Sequence, residues 1–363
     1  MSGRYSRAWV EVDLAAVVEN ARTVARLAGT RLLPVVKANA YGVGAVAVSK
    51  ALETLDPWGY GVATVEEGAE LRAAGIARPV LVFMPVQPTL FDDFERYRLT
   101  PALGDADAIA QWTARAGEGG PRPFHLEIDT GMRRSGVRWD EIERVREVAN
   151  TPALEGCYTQ FHSAERRDGS LERQTERFLA AVGKLARRPQ LLHVANSAAA
   201  LSDRRYALDL VRPGVFLYGG SPGPGFPEAR RVVSLRARVL AVRHVAAGES
   251  VSYGAMWTAP AATRVATLGI GYADGVRRSL GLSGRGQVLL GGTRCPIVGV
   301  VTMDLTMVEI GDRAVKVGDV ATLIGDSDGG GGRISLEEYA TSGDALQREA
   351  LTSLGARLPR VYD

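Results

Sequence analysis

Residues 34–44 read PVVKANAYGVG: an apolar run ends at a single lysine, Lys37, and a loop of small residues with one tyrosine, Tyr41, follows before a helix can start. Strand, loop and helix in that order make one unit of an alternating α/β fold. The chain repeats the unit. Apolar runs fall at 31–36, 59–63, 80–83, 99–103, 123–129, 155–161, 191–195 and 207–212, with helix-like spacing between them, for example at 45–55, 105–116, 139–149 and 171–187. Ahead of the first run, Leu14, Val17, Val18, Ala21, Val24 and Ala25 share one helical face, and Asp13 is suited to cap it. Eight strand and helix pairs in about 200 residues predict a (β/α)8 barrel of the TIM type, which carries its chemistry at the C-terminal ends of its strands. A doubly wound open sheet is the alternative, weakened because no glycine-rich dinucleotide fingerprint follows the first strand.

The pattern changes at the Pro/Gly linker SPGPGFPE, 221–228. Beyond it, LRARVLAVRHV, RVATLGIGY, GQVLL turning through Gly291 and Gly292 into TRCPIVGVVTMDLTMVEI, and DVATLIG predict a compact, mostly antiparallel β domain. The expected division is a barrel over 1–224 and a β domain over 225–363. A late helix is expected to start at Ser335, where Glu338 completes a capping-box spacing, and another to cover 343–354. DSDGGGG at 326–332 reads as a flexible turn.

The 363 residues carry 44 basic and 41 acidic side chains, a net +3 too small and too dispersed for a nucleic-acid footprint or a membrane surface. A small-molecule partner is the expectation. The segment MSGRYSRAWVEVDL has no apolar core of signal-peptide length, and no later run approaches the ~20 apolar residues of a membrane span, so a cytoplasmic protein is expected. Cys157 and Cys295 match no metal or redox spacing and read as reduced packing residues, with no metal site.

On a barrel, the strand ends gather chemistry at one rim. A lysine ending a buried strand is poorly hydrated, which favours the neutral amine and attack on an aldehyde to form a Schiff base; the alternative for Lys37 is a lysine snorkelling at a strand end. The fifth run leads into EIDTGMRRSG and places His125, Glu127 and Asp129 on one face, Phe124, Leu126 and Ile128 on the other. The seventh ends in HVANSA, bringing His193, Asn196 and Ser197 to the rim, and the eighth in LVRPGVFLYG, bringing Arg212 and the Gly214 backbone. Loops after the seventh and eighth strands commonly hold a phosphate, a role Ser197 and Gly214 fit. Singly, Ser197 reads as a helix cap and Arg212 as an ion-pair partner; converging with Lys37 they suggest pyridoxal 5′-phosphate across the barrel mouth.

The motifs VVKANAYGVG, DTGMRRSG, HVANSA, VRPGVFLYG, VSYG at 251–254, GYADG at 271–275, GVVTMD at 299–304 and RLPRVY at 357–362 together resemble the bacterial alanine racemases along nearly the whole chain. The resemblance implies a homodimer of barrel and β domain whose active sites are completed by the other subunit, supplying D-alanine as a peptidoglycan precursor. It implies that Lys37 holds pyridoxal phosphate, with Tyr41, Ser197 and the Gly214 and Val215 backbone around the phosphate, and His193 and Asn196 in support. Arg212 would face the pyridine nitrogen and Arg134 the phenolic oxygen. The partner subunit's Tyr253 would be the second base, Met303 would offer its backbone N–H to the substrate carboxylate, and Tyr272 would line the entrance.

Three positions depart from the family pattern. Glu127 stands where many racemases have a lysine that CO2 converts to a carbamate, and is expected to pair with Arg134 as a permanent anion. Gln160 replaces the histidine of the triplet after the sixth strand and cannot titrate; His162, two residues on, reads as a surface histidine or as its substitute. Ala356 replaces a tyrosine, which should enlarge the site. Alanine is the default substrate, with a broader racemase accepting serine or larger side chains as the alternative. An amino-acid decarboxylase and a non-catalytic pyridoxal phosphate carrier are the other readings, disfavoured by Arg212 and by the β domain carrying Tyr253.

Overall fold

The computed structural model describes residues 6–115, 120–328 and 330–363, so Gly329 in the DSDGGGG turn lies outside the described residues. Among the described residues, eight short parallel strands form the barrel: Arg31–Leu32, Tyr60–Val62, Val80–Val82, Thr100–Leu103, Phe124–Asp129, Leu154–Tyr158, Leu191–His193 and Leu210–Val211. They match the eight apolar runs in order. Neighbours pair in sequence order, with single bridges Val35 to Gly61 and Asn196 to Arg212 at the short joins. The ring closes where Leu210 and Val211 pair in parallel with Arg31 and Leu32.

The helices cover the outside because each carries one apolar stripe. In Leu14–Ala28, Ala16, Val17, Ala21, Val24 and Ala28 are buried, Asp13 caps the start by accepting from Ala16 N at 2.7 Å, and Gly29 ends it at φ 66°. Buried Asn20 on the same helix donates to the Leu217 and Arg230 carbonyls and accepts from Arg230 N, stitching the barrel to the linker. The expected helix at 139–149 shrinks to Glu143–Arg146. Tighter i to i−3 bonds flank it, Arg144 N to Glu141 O and Val145 N to Ile142 O; Ile142, Val145 and Ala149 are buried in the core, with Trp139 and Val148 packed against it.

Inside the ring, Leu33, Leu81, Ala102 and Tyr158, with Trp58 and Phe83 against them, form a small core separate from the main one. Phe124, Leu126 and Ile128 point instead to the main core. The period-2 strand thus sends His125, Glu127 and Asp129 to the other face, all three buried.

The second domain is built on the long strand Val233–Val245, which pairs antiparallel with Thr263–Leu268 and with Val320–Asp326; Gln287–Leu290 and Thr293–Pro296 extend the sheet. Ser335 caps Leu336–Ser342 by accepting from Glu338 N at 3.0 Å, and Gln347–Thr352 follows.

The N-terminus departs from the expected 224/225 division. Ala8–Val12 lies in the second sheet, antiparallel to Val233–Val245 and parallel to Arg360–Tyr362. The barrel is already closed by the eighth strand, so an alternating strand such as AWVEV finds its partners there. The C-terminal strand thereby lies against the barrel's first loop, where Arg360 donates to Gly42 O.

Candidate active site

Barrel closure sets the first and last strands side by side, with Leu33 N donating to Val211 O at 2.8 Å and Val35 N to Pro213 O at 2.9 Å. Lys37 therefore emerges beside Arg212 and Gly214. Its amine is half-buried; burial and the Arg134 guanidinium lower its pKa below the ordinary lysine range, while Glu67 opposes them.

Directly after Lys37 the backbone turns left-handed: Ala38, Asn39, Ala40 and Tyr41 have φ of 52°, 54°, 51° and 55°. Four successive non-glycine residues in this region are strained. Specific partners hold them. The Glu67 carboxylate accepts from Ala38 N at 2.6 Å and from Ala63 N at 2.7 Å. Asn39 Oδ1 accepts from Ala45 N at 2.8 Å, and Arg360 donates from Nε and Nη2 to Gly42 O at 2.9 and 2.8 Å.

That turn brings Tyr41 over the eighth strand. Its ring stacks on Tyr218 at 4.8 Å, and Tyr218 Oη donates to Val35 O at 2.8 Å. Burial raises the Tyr41 pKa, with Arg348 opposing, so its phenol is a donor. A Cβ at position 214 would lie 2.5 Å from Tyr41 Oη, so only glycine fits. Gly214 N donates to Ser197 Oγ at 2.9 Å, and Asn196 caps Ser197–Ser202 by accepting from Ala199 N at 3.1 Å. A phenol, a hydroxyl and the Gly214–Val215 backbone thus line one cradle.

Arg212 is buried beside it. Nη1 donates to His193 Nδ1 at 3.1 Å and to His193 O at 2.6 Å. Nη2 donates to Thr159 O at 2.7 Å, with Val194 O at 3.3 Å and Gln160 Oε1 at 3.4 Å close by. Its Nε–H has no partner among the described residues. The guanidinium lies 5.2 Å over the Tyr158 ring. Burial pulls its pKa down to about 10, against the pull of Tyr158 and Glu127, so it stays charged near neutrality. Burial, then Arg212 and His125, depress His193, which is neutral.

The expected Glu127–Arg134 ion pair is not formed among the described residues. Glu127 instead accepts from Ser135 Oγ at 2.9 Å, beside the buried Tyr158 hydroxyl, which makes no hydrogen bond of good geometry. Arg134 is exposed and acts on Glu127 through its charge alone. Burial raises the Glu127 pKa, opposed by Ser135 and Arg134. Gln160 donates to its neighbouring Phe161 carbonyl at 3.2 Å, while His162 is exposed and bonded to Ser163 Oγ at 2.8 Å, a surface histidine.

Tyr253, Tyr272 and Met303 are not gathered at Lys37. They are exposed on the β domain, Tyr253 by 76%. Tyr272 N donates to Thr302 O and Ala273 N to Met303 O, which joins two of them in one loop pair; Ser252 Oγ reaches Val300 O at 2.8 Å and ties the Tyr253 turn to the same loops. Sequence reasoning missed Glu67, Tyr158, Tyr218 and Arg360. Glu67 looks like an ordinary first-turn acid of the helix Val65–Ala73, capped by Thr64. Only the three-dimensional turn gives it a role.

Residues 12–222 match the model of the alanine racemase N-terminal domain and residues 232–362 that of the C-terminal domain. An alanine racemase of Symbiobacterium thermophilum is 40% identical, the match covering 98% of this chain and 96% of the relative. Among solved structures, the alanine racemase from E. faecalis superposes with a TM-score of 0.91 at 32% identity over the whole of both chains. The alanine racemase from Bartonella henselae with covalently bound pyridoxal phosphate gives 0.89 at 29% identity, covering 99% of this chain and 100% of that one.

The electrostatics at Lys37 make a directional prediction. Amine labelling against pH, with peptide mapping on cofactor-free protein, is expected to show Lys37 titrating below the ordinary lysine range. Removing a cation raises a lysine pKa, so Arg134→Ala is expected to move the Lys37 profile to higher pH. A profile unmoved by that change would remove Arg134 from the amine's surroundings.

Proposed function

The chain belongs to the alanine racemase family, and we propose that it works with pyridoxal 5′-phosphate across the barrel mouth and with a second copy of itself completing each site. It is an isomerase that interconverts L- and D-alanine. What carries the cofactor reading is the half-buried Lys37 amine, of lowered pKa, beside a donor-lined cradle that a Cβ at Gly214 would fill. The donor set fits the group. Tyr41, Ser197 and the Gly214 and Val215 backbone would hold the phosphate, Asn196 and His193 in support, and the spare Nε–H of Arg212 would meet the ring nitrogen.

Pyridoxal phosphate, when bound, supplies the electron withdrawal that makes the α-hydrogen of an amino acid acidic. The rest falls to this chain's side chains. Racemisation takes a proton from one face and returns one to the other, so two bases on opposite faces are the simplest arrangement. Lys37 Nζ serves the D-amino acid. The partner subunit's Tyr253 serves the L-amino acid from the other face. The 76% exposure of Tyr253 on its own chain, among other exposed apolar side chains such as Met256 and Met303, supports a covered interface. Arg212 can only donate, so the ring nitrogen it faces stays an acceptor. The α-carbon then regains its proton promptly, which favours racemisation over transamination.

Met303 N–H would orient the substrate carboxylate and Tyr272 would line the entrance. Exposed Ala356 leaves the space of a phenol open, so serine is expected to be accepted besides alanine; each extra buried methylene adds only ~0.8 kcal/mol, which broadens rather than switches specificity. Among the described residues no helix is long and apolar enough to cross a membrane, in keeping with a cytoplasmic enzyme supplying D-alanine for peptidoglycan.

Loss of optical rotation of L-alanine measures the reaction. Lys37→Ala and Tyr253→Phe proteins are each expected to be inactive in racemisation, and mixing them to restore part of the activity, because a shared-site dimer then contains one intact site. No recovery despite demonstrated subunit exchange would refute the shared site. The wild-type rate is also expected to be unchanged in CO2-free buffer, since position 127 holds a glutamate and offers no lysine for CO2 to modify; a rate that rises on adding bicarbonate would contradict this.

A further inference from the structure

Arg212 is held by more than the barrel rim. From Nη1 a hydrogen-bonded line descends inside the barrel: to His193 Nδ1 at 3.1 Å, from His193 Nε2 to His125 Nδ1 at 2.7 Å, and from His125 Nε2 to Glu155 Oε2 at 3.2 Å. Both imidazoles are fully buried, and the Glu155 side chain, near the start of its strand, is 28% exposed. The line admits one arrangement of protons. A guanidinium only donates, so His193 Nδ1 accepts and its proton sits on Nε2. That proton is given to His125 Nδ1, which leaves the His125 proton on Nε2, facing a carboxylate that only accepts.

The barrel is fitted around this line. Tyr158 stacks on His193 at 5.2 Å and 14°, and Trp58 lies 5.4 Å from the His125 ring, so aromatic faces sheathe both imidazoles. Gly156, the cross-strand partner of His125, leaves the space: a Cβ there would come within 2.6 Å of the imidazole.

We propose that Glu155 and His125 are positioning residues of the racemase: by fixing the tautomers of both histidines they hold the Arg212 guanidinium in place, with its Nε–H left for the cofactor ring nitrogen. This rests on the cofactor reading given above. Neither residue touches the reacting atoms; they act through Arg212. Glu155 is the acceptor at the far end of the line: without its carboxylate the buried His125 Nε2–H has lost its partner, which favours moving that proton to Nδ1. His193 Nε2–H would then face another N–H, and the Arg212 contact would loosen.

The chain has four histidines, His125, His162, His193 and His244, so long-range 1H–15N spectra of the full-length protein resolve every ring. Recorded with and without cofactor, they are expected to show His125 and His193 as neutral Nε2–H tautomers in both states. Because the cofactor-free spectra test the line alone, its failure is distinct from failure of the cofactor site. Glu155→Gln keeps an acceptor oxygen and is expected to keep both tautomers, with kcat within about 3-fold of wild type. Glu155→Ala is expected to move His125 to Nδ1–H and to lower kcat about 10-fold while KM stays within about 2-fold, the mark of lost orientation. Either ring found as Nδ1–H in the wild type, or a Glu155→Ala protein with wild-type ring signals and kcat, would overturn the proposal.

Discussion

The pairing of Leu210–Val211 with Arg31–Leu32 is the constraint on which the site depends. Without that closure Lys37 and Gly214 would stand at opposite edges of an open sheet. With it, the strand that ends in a lysine lies next to the strand that ends in an arginine and a glycine. Short βα loops then bring an amine, a guanidinium and a hydroxyl-lined cradle to one rim, as the geometry of a closed barrel requires.

Closure alone does not present Lys37 correctly, because the next four residues are left-handed. At about 1–2 kcal/mol per residue, that turn costs several kcal/mol. Hydrogen bonds to charged groups contribute about 1.5–3 kcal/mol each, and Glu67 and Arg360 make two apiece to the turn and its surroundings. The terms are comparable, so Glu67 and Arg360 offset a large part of the strain of the turn. Arg360 comes from the last strand of the second sheet, so the second domain supports the loop that carries Lys37 in the same chain. Tyr253, Tyr272 and Met303 on the same domain remain exposed.

Much of this was legible in the sequence. The eight apolar runs at regular spacing gave the barrel, since period and order are local properties, and alternation along residues 124–129 separated the inward residues from the core residues. Strand ends could be placed on one rim, so Lys37, Ser197, Arg212 and Gly214 were found together. What was missed depends on distance in space. Ala8–Val12 joins the second sheet because the barrel is already full, a fact about closure and not about AWVEV. Glu127 turns to Ser135 and not to Arg134, and the contact of His125 with His193 depends on Gly156 leaving room. The motifs named the family; geometry was needed to show which side chains hold which.

The central claim is that barrel closure presents the Lys37 amine, and no other, to the cofactor. Borohydride reduction of the purified protein followed by peptide mapping tests it directly, with Lys37, Lys50, Lys184 and Lys316 all within reach of the method. The account predicts a single pyridoxyl adduct, on Lys37. An adduct on Lys50, Lys184 or Lys316, or no adduct at all, would contradict it.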